Sequence, residues 1–536
     1  MDSSYEFATE IASNASASLP KAQDFTRHLN QVSKNRLAST LKELYKYQGV
    51  PGMVSSASRR FLLTYLDCHG RRWVEIQVEC SSCLGIPHPQ VFPFETLSAT
   101  ILAHDAFPLD PPRVPKKSKS LLSWLFQSAS PTTSFTIPKY VPNPTPTTIQ
   151  LSTSLQYAAA TGPPALPLFL REYVAKVYKP AYADWDVLVN VGNTDGWSKI
   201  INLIAEKGDA VLVEEWTYPS AVNSFLPYEC EPVAIKMDAE GMSPEHLEEV
   251  LGGWDEEKRG KRRPHIMYTV PTGQNPTGAT MMDDRKKKLY DICYVIICED
   301  EPYYCLRLAE AEKKEGSDGN AAFIKALPPS YLYFDTEGRV IRMDTSAPGS
   351  RLGWITANPQ FIERLTRISE TSTQAPSGFA TALTTTMLEK WGFEGYIRWL
   401  RGIKATYNMR KTWICDAFED TFHLEFDQSK GLFPSGSKTI TCYSKQPQSA
   451  WDEKKGLHGP GLVTFVPPTV STCCYNRADV QVLFAPGWYF DGGGEHAIGG
   501  PGYGYFRLSF SIATYEETYK AVQTFSQVLD KFFQLK

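Results

Sequence analysis

The sequence predicts an α/β fold, in which a large domain built on a mainly parallel sheet is followed by a smaller α/β domain. Between about residues 155 and 385, short apolar runs rich in β-branched residues alternate with stretches of helical character. These runs are V-L-V-N-V at 187–191, A-V-L-V-E-E at 210–215, H-I-M-Y-T-V at 265–270, Y-V-I-I-C-E at 294–299 and V-I-R-M-D at 340–344. Because helices join the runs, the pattern predicts a mostly parallel sheet.

The composition is that of a soluble globular protein. The chain has 536 residues, 42% hydrophobic and 21% charged, with a formal net charge of -4. This charge gives no basic patch for nucleic acid or a membrane surface. The N-terminus lacks the features of a signal peptide, and no apolar run approaches the roughly 20 residues that a membrane span needs. The 11 scattered cysteines fit reduced thiols. We expect a cytoplasmic protein without a metal site.

The chain divides into segments of different character. Within an N-terminal segment at 1–50, apolar residues at helical spacing predict an amphipathic helix over 24–46. A segment at 84–150 leads into an exposed connection over 110–150 that is rich in Pro, Ser, Thr and Lys. The large domain is expected at 151–385, and a helical stretch near 380–420 leads into the smaller domain at 386–536. We expect the N-terminal helix to pack with that smaller domain.

A polar stretch follows the first of these strands. The segment V-L-V-N-V-G-N-T-D-G-W-S-K at 187–199 ends a strand at Gly192, and Asn193, Thr194 and Asp195 open a helix. Backbone N–H groups at the N-terminus of a helix, together with small polar side chains, bind a phosphate dianion. The same three residue types are also ordinary helix caps, so the segment alone leaves both interpretations open.

Two further segments carry polar groups at strand ends. In T-V-P-T-G-Q-N-P-T-G at 269–278, Gly and Pro impose a turn that presents the Asn275 amide. The strand Y-V-I-I-C-E-D at 294–300 ends in Glu299 and Asp300, and Glu301 follows it; a carboxylate buried there is costly unless it is paired. From position alone, any of these three carboxylates is a candidate for an internal cationic partner.

Taken in order, these segments resemble the fold-type-I pyridoxal phosphate (PLP)-dependent aminotransferases. The most similar are fungal-type aromatic-amino-acid, aminoadipate and kynurenine aminotransferases of the class-I family, and the resemblance covers most of residues 24–535. It implies a fold-type-I PLP transferase that moves the amino group of tyrosine or phenylalanine to 2-oxoglutarate and releases the aryl-pyruvate. It also implies a homodimer in which the two subunits share their active sites.

The resemblance also implies roles for single residues. Arg507, in G-Y-F-R-L-S-F-S, matches the arginine that grips the substrate carboxylate, with Asn275 beside it. Asp300, two residues before Pro302, matches the carboxylate that pairs with the pyridine nitrogen. Tyr157 matches a residue that reaches the phosphate of the neighbouring subunit. The full set of implied cofactor contacts is Asn193, Thr194, Tyr218, Asn275, Asp300, Tyr303, Thr345, Arg351 and Tyr157.

The chain departs from the family pattern where the family carries its Schiff-base lysine. In V-I-R-M-D-T-S-A-P-G-S-R-L-G-W at 340–354 about four residues are absent, and no lysine stands between Thr345 and Arg351. No catalytic residue is therefore identifiable. The chain also has a probable non-homologous insert at 54–83, interpreted as translated intron or as surface insertion, and a C-terminal domain that is short near 470–484.

Two alternatives to an active enzyme follow from these departures. One is a defective gene model of an active enzyme, in which intron boundaries are misplaced. The survival of Asn275, Asp300, Tyr303, Arg351 and Arg507 favours it over random decay. The other is a catalytically inactive PLP-fold protein that keeps the pocket as a binding module. A transcription regulator is disfavoured, since no basic helix-turn-helix precedes the fold.

Overall fold

The computed structural model describes residues 19–37, 60–61, 76–77, 87–114, 131–238, 240–307, 315–424, 439–440, 461–465, 485–492 and 505–533. The strands of these residues are β1 (Arg60–Phe61), β2 (Ile76–Gln77), β3 (Thr96–Leu102), β4 (Thr132–Pro138), β5 (Asp186–Asn190), β6 (Ala210–Glu214), β7 (Glu231–Ile235), β8 (Met237–Asp238), β9 (Gly241–Met242), β10 (Ile266–Thr269), β11 (Ile296–Asp300), β12 (Val340–Thr345), β13 (Gly353–Ala357), β14 (His423–Leu424), β15 (Thr439–Ile440), β16 (Gly461–Phe465), β17 (Ala485–Pro486) and β18 (Tyr505–Ser509). The α-helices are α1 (Gln31–Asn35), α2 (Leu151–Ser154), α3 (Ala165–Val177), α4 (Asn193–Ile204), α5 (Pro219–Phe225), α6 (Pro244–Gly252), α7 (Glu256–Arg259), α8 (Asp283–Ile292), α9 (Gly316–Ala326), α10 (Pro359–Glu370), α11 (Gly378–Thr421) and α12 (Tyr515–Phe533).

A seven-stranded sheet in the order β5-β13-β12-β11-β10-β6-β7 forms the centre of the fold. Neighbours from β12 to β7 pair in parallel, while β13 is antiparallel to both β12 and β5. The five runs identified in the sequence correspond to β5, β6, β10, β11 and β12, so the predicted mainly parallel sheet is confirmed. Parallel strands end at one edge of a sheet, and ligands bind at such an edge.

The sheet is covered on both faces, which explains why its strands read as continuous apolar runs. Along β5, Val187 and Val189 face one buried layer, which also contains Leu170 of α3. Leu188 faces the opposite layer, with Ile200 of α4 and Phe361 of α10. Alternate side chains thus enter opposite cores, as the pleat of a strand requires.

The prediction of one amphipathic helix over 24–46 is wrong for the part of it that the structure describes. A 3-10 turn covers Thr26–His28, α1 is short, and residues 38–46 lie outside the described residues. Asn30 is extended and caps α1 by accepting a hydrogen bond from Ser33 N at 2.7 Å. The Asn30 amide also donates to the carbonyl of Ala205 at 2.9 Å, which fixes it to the end of α4. Chain extension at this cap interrupts the helix.

The packing partner of this N-terminal segment also differs from the prediction. The Phe25 ring is 1% exposed and lies 5.7 Å from the ring of Phe361 on α10, centroid to centroid. The backbone N–H of Gln31 donates to Glu206 after α4. The described segment therefore packs against the helices of the central sheet, because its apolar residues meet that layer, and not against the C-terminal elements.

The connection predicted over 110–150 contains a strand. β4 pairs with β3 in antiparallel register, and its Phe135 and Ile137 are buried against Leu151 and Ala382. Alternation of these two apolar residues with Thr and Ser is the strand pattern that the polar composition obscured. Residues 115–130 of the connection lie outside the described residues.

The C-terminal elements begin with α11, which confirms the helical stretch predicted near 380–420. It is interrupted at Gly392, where φ is 63° and ψ is 178°. A three-stranded sheet in the order β16-β18-β17 follows, and α12 packs on α11. A domain boundary near 385 stays a prediction. No helix of the described residues is long and apolar enough to cross a membrane.

Two predictions about unusual segments remain untested. Of the insert at 54–83, the structure describes only β1 and β2, which pair with each other as a separate two-stranded sheet. The rest of the insert and the segment 470–484 lie outside the described residues.

Candidate active site

Asp300 is buried at the end of β11 and faces the start of α4. Asn193 Nδ2 donates to its Oδ1 at 2.6 Å, and the hydroxyl of Tyr268 on β10 donates to its Oδ2 at 2.6 Å. Burial raises the pKa of Asp300, and the two hydrogen bonds oppose that rise in part. Its two donors are neutral, so an ionised Asp300 would be stabilised by a cation bound on the same side of the sheet.

The two neighbouring carboxylates already have cationic partners. Arg342 Nη1 lies 3.2 Å from Glu299 Oε2, and Lys286 Nζ lies 3.5 Å from Glu301 Oε1. Ser330 Oγ also donates to Glu299, and Thr272 Oγ1 donates to Glu301. These side chains belong to a buried network within the protein. Of the three carboxylates that the sequence left open, Asp300 is the one beside the candidate cofactor residues.

A cradle for an anion lies at the N-terminus of α4. Gly192 has a φ of 104°, a conformation that favours glycine, and a Cβ added there would lie 3.0 Å from Arg351 Nη2 and push the guanidinium away by a few tenths of an ångström. Arg351 adopts the left-handed conformation with a φ of 49°. The Oδ1 of Asn193 is buried and has no hydrogen-bond partner among the described residues. Thr194, on the same first turn, is exposed. The arginine and the helix N-terminus therefore converge on one point.

The loop from β12 to β13 is short and closed by its own hydrogen bonds. Thr345 pairs with Gly353 across the hairpin. The backbone N–H of Ser346 donates to the carbonyl of Leu352 at 2.9 Å, and its hydroxyl donates to the same carbonyl at 2.8 Å. This hydroxyl also lies 2.7 Å from Ser350 Oγ. The lysine-free loop is thus a regular turn that holds Arg351 beside Gly192.

A cavity of about 220 Å³ lies next to this edge of the sheet. Its lining includes Asn275, Tyr303, Leu306, Tyr407 and Arg507. Arg507 Nη1 donates to Asn275 Oδ1 at 3.0 Å, so the C-terminal sheet and the 269–278 turn meet in the cavity wall. The wall combines two tyrosine rings and Leu306 with the Arg507 guanidinium and the hydroxyls of Ser509 and Ser511, a lining that suits a ligand with an apolar body and a carboxylate.

Tyr303 connects the cavity with the Asp300 side of the site. Burial raises the pKa of its hydroxyl, Asp300 adds to that rise, and Arg507 opposes it. Tyr218, the residue before α5, lies close enough to contribute a smaller rise. The structure therefore brings together most of the predicted residues, which are Asn193, Tyr218, Asn275, Asp300, Tyr303, Thr345, Arg351 and Arg507.

Tyr157 lies on the surface of the single chain. Its ring is 51% exposed, and its backbone N–H donates to Gln156 Oε1 at 3.0 Å. The structure does not bring it to the other predicted residues within one subunit. A role toward a neighbouring subunit stays a prediction.

The sequence reasoning missed several residues that shape the site. Tyr268 was identifiable in principle, because it pairs with Cys298 in register and therefore shares a face with Asp300, two residues further along β11. Tyr407 gave no signal, since it is one aromatic residue on a long helix. Gln274 and Glu214 form hydrogen bonds between separate segments, which no local pattern indicates.

Comparison with known proteins identifies the relatives of this chain. The sequence profile of the family described as aminotransferase class I and II matches residues 147–434. An aromatic amino acid aminotransferase of Schizosaccharomyces pombe is 34% identical over 414 residues, which cover 75% of this chain and 78% of that protein. The L-tyrosine:2-oxoglutarate aminotransferase atrD of Tapinella panuoides is 34% identical over 373 residues, covering 66% of this chain and 67% of that protein. The crystal structure of the aminotransferase Aro8 from Candida albicans has a TM-score of 0.72 at 29% identity, and the match covers 96% of this chain and 100% of that one.

Proposed function

The chain belongs to the class I and II aminotransferases, which are PLP-dependent enzymes, and from this premise we propose that its site takes an aromatic amino acid as amino donor and 2-oxoglutarate as acceptor. The donor would be tyrosine or phenylalanine, and the product the corresponding aryl-pyruvate. The activities for which these relatives are named support this choice. The observation that carries it is the contact of Arg507 with Asn275 in a cavity lined by Tyr303, Tyr407 and Leu306.

The residues present fit a bound PLP at three of its groups. The N-terminus of α4, the Gly192 backbone before it and the Arg351 guanidinium beside it form an anion cradle for the phosphate. Asp300, whose pKa is raised by burial, would hold a proton on the ring nitrogen. Tyr303 would donate to the phenolic oxygen. The loop between β12 and β13 offers no amine, so we propose that this chain binds PLP through these contacts without a covalent bond there.

We assign the remaining chemistry to the chain's own side chains. When bound, PLP supplies the electron sink that allows an amino group to leave one carbon and join another. Arg507 would bind the substrate carboxylate through its guanidinium fork, and Asn275 would orient that fork. Tyr218 would cover one face of the ring. In relatives a lysine moves the proton at the reacting carbon, and no residue between Thr345 and Arg351 can take that part.

A binding experiment with matched amino acids tests the proposed specificity. The chain is saturated with PLP, and L-tyrosine, L-phenylalanine, L-alanine and L-aspartate are titrated while the cofactor absorbance is followed. We expect the two aromatic amino acids to bind more tightly than alanine, because an aromatic side chain can pack against Tyr303, Leu306 and Tyr407 in the cavity. We expect Arg507→Gln to weaken all four. Tighter binding of aspartate than of tyrosine would contradict the proposal.

A second arm tests turnover. A chain in which Phe-Ser-Lys-Thr is inserted after Thr345 is expected to convert tyrosine and 2-oxoglutarate to the aryl-pyruvate and glutamate, while the unaltered chain binds tyrosine without turnover. The lysine-free loop favours one other function, that of a binding protein built on the same fold. If the inserted chain binds tyrosine and acquires a PLP-linked lysine but transfers no amino group, the binding protein is the better description.

We also propose that two copies of the chain associate through the surface that carries Tyr157. Next to it are Val91, Phe94 and Phe379, which are 72%, 43% and 36% exposed, and the rings of the two phenylalanines lie 5.1 Å apart. Gln156 Nε2 donates to the carbonyl of Pro87, which connects this tyrosine to the same surface. Such exposed apolar clusters mark interaction sites. Sedimentation should give a dimer, and Phe94→Glu should give a monomer with weaker phosphate binding. A monomeric unaltered chain would contradict the proposal.

A further inference from the structure

Gln274 is a buried residue that joins two segments at the edge of the cavity, its own turn and the end of β6. It is 1% exposed, and its Nε2 donates to Glu214 Oε2 at 3.0 Å and to the carbonyl of Trp216. Its Oε1 accepts from the backbone N–H of Thr277 at 2.9 Å and from the hydroxyl of Thr277 at 2.8 Å. Both amide hydrogens and the amide oxygen are therefore used. The side chain ties the turn that carries Asn275 to the end of β6.

Glu214 is the other half of this pair, and its setting is unusual for a carboxylate. It is fully buried at the end of β6 and accepts from Thr269 Oγ1 at 2.8 Å, from Val270 N at 3.3 Å and from Gln274. These donors are neutral, and burial raises the pKa of Glu214 to about 7. A carboxylate buried among neutral donors is costly, and an apolar residue would pack there at less cost. The presence of Glu214 at this position therefore indicates that the hydrogen bonds it accepts are needed to hold its neighbours in place.

Arg507 is contacted on two sides, by this turn and by Phe490. On one side Asn275, the residue after Gln274, accepts a hydrogen bond from Arg507 Nη1 at 3.0 Å. On the other side the guanidinium lies 5.0 Å from the centre of the Phe490 ring. Arg507 Nε is buried and has no hydrogen-bond partner among the described residues. A second donor of the fork is thus available to a ligand carboxylate.

Phe490 is held by the backbone that follows β6. The carbonyl of Phe490 accepts from Thr217 N at 2.7 Å, and Gly492 N donates to the carbonyl of Glu215 at 2.8 Å. Trp216 and Asp491 form a β-bridge between them. Since Gln274 also donates to the Trp216 carbonyl, the contacts form a closed path. It runs from Arg507 through the Asn275 turn to the segment after β6 and returns through Phe490.

We propose that Gln274 and Glu214 are positioning residues, which hold Asn275 and through it the Arg507 guanidinium in the orientation that binds the substrate carboxylate. The inference rests on the proposed function of Arg507. Glu214 performs this role as the carboxylate, because all three of its partners donate to it. If it takes up a proton, its charge is lost and the hydrogen bond from Gln274 weakens. A proton on Oε2 would oppose the N–H groups of Val270 and Gln274, and a proton on Oε1 would reverse the hydrogen bond with the Thr269 hydroxyl.

A direct test measures carboxylate binding instead of turnover. The probe is 3-phenylpropionate, an aromatic carboxylate without an amino group, titrated calorimetrically into the PLP-saturated chain between pH 6 and 8. We expect Gln274→Met to bind it roughly tenfold more weakly than the unaltered chain, because a buried hydrogen-bonded amide is lost. Gln150→Met is the matched control, since it removes another buried glutamine amide, whose oxygen accepts from Val141 N at 2.9 Å. It should leave the affinity unchanged.

The pH profile supplies a readout that a merely structural role would not alter. The affinity of the unaltered chain should fall as the pH is lowered from 8 to 6, because Glu214 becomes protonated. Glu214→Gln should bind weakly at every pH. The pKa of Glu301 is also raised to about 7, and Glu301 accepts from Thr272 of the same turn. Glu301→Gln should therefore be compared, and it should retain the pH dependence.

The outcomes separate this inference from the proposed function. If Arg507→Gln binds the probe as well as the unaltered chain does, the carboxylate site is wrong and the inference falls with it. If Arg507→Gln binds poorly while Gln274→Met and Glu214→Gln bind normally, only the positioning role is refuted. A pH dependence that Glu301→Gln abolishes and Glu214→Gln keeps would also refute it. Should Gln274→Met fail to fold, the comparison of Glu214→Gln with Glu301→Gln still decides.

Discussion

We expect Asp300→Asn to weaken PLP binding strongly, while the cofactor-free chain stays as stable as before or becomes more stable. The asparagine oxygen can still accept from Asn193 Nδ2, and its NH2 group can donate to the hydroxyl of Tyr268. Both hydrogen bonds, 2.6 Å long in the unaltered chain, are therefore kept, the second with its direction reversed. The negative charge is lost. Because burial raises the pKa of Asp300, ionisation of this group opposes folding at pH values above its unfolded pKa, and the amide removes that cost.

The expected magnitude follows from the setting of the carboxylate. A buried ion pair that loses one partner costs about 3–5 kcal/mol, and a charge-assisted hydrogen bond contributes about 1.5–3 kcal/mol. Taking about 2–4 kcal/mol for the pair between Asp300 and the ring nitrogen, the dissociation constant of PLP should rise from about 30-fold to several-hundred-fold. The cofactor-free chain should gain between 0 and about 2 kcal/mol, as the desolvated charge disappears.

Glu299→Gln is the control. It removes a charge from the adjacent position, but it is expected to lower stability and to leave PLP binding unchanged, the reverse of Asp300→Asn. Glu299 lies 3.2 Å from Arg342 Nη1, and both side chains are fully buried. Its loss should destabilise the cofactor-free chain by about 3 kcal/mol and leave PLP affinity nearly unchanged. Urea unfolding of both variants and absorbance titration with PLP measure the two quantities. The reasoning is refuted if Asp300→Asn binds PLP within about threefold of the unaltered chain, or if it loses more stability than Glu299→Gln.

Three further predictions concern the loop, the cradle and the N-terminal segment. Borohydride reduction of the PLP-saturated chain, followed by peptide mapping, should give no phosphopyridoxyl-lysine, and such an adduct at a lysine reaching Asp300 would contradict the loop assignment. Gly192→Ala should cost about 1–2 kcal/mol in urea unfolding and weaken phosphate binding, because φ is 104° and the new Cβ would lie 3.0 Å from Arg351 Nη2; unchanged phosphate affinity would count against the cradle. Burial beside His265 lowers the pKa of His28 to about 4, so the stability it contributes is present above pH 6.5 and is lost as the pH falls toward 4. His28→Gln should reduce that slope, and an unaltered slope would show that another group causes it.

The strands and their ends were predictable because they depend on local pattern and on chain direction. Runs buried on both faces and joined by helices predict parallel strands, and parallel strands end at one edge. That rule alone brings the neighbourhoods of Asn193, Asn275 and Asp300 together. It does not choose among Glu299, Asp300 and Glu301, because the choice depends on which buried cation faces each carboxylate. Arg342 and Lys286 approach from other elements, and no local pattern contains them.

The failed prediction at the N-terminus has a different cause. The helix over 24–46 is predicted from the spacing of apolar residues alone. The break at Asn30 is caused by hydrogen bonds to residues that are distant in the sequence, and the spacing does not show them. The Asn30 amide caps α1 through Ser33 and also donates to the carbonyls of Asn202 and Ala205 at the end of α4. A tertiary contact thus outweighs a helical preference of a few tenths of a kcal/mol per residue.

The absence of the lysine can be tolerated by the fold because the contacts that hold Asp300 do not involve the lysine region, and the shortened loop still places Arg351 beside Gly192. Asp300 is supported by Asn193 and Tyr268, which belong to α4 and β10, and none of these contacts passes through the loop after β12. The loop itself is closed by Ser346 and Leu352. Loss of the lysine therefore removes an amine without removing a wall of the site. For this reason an active enzyme and a binding protein would share almost all of this structure. The loop, and not the fold, is where an experiment can tell them apart.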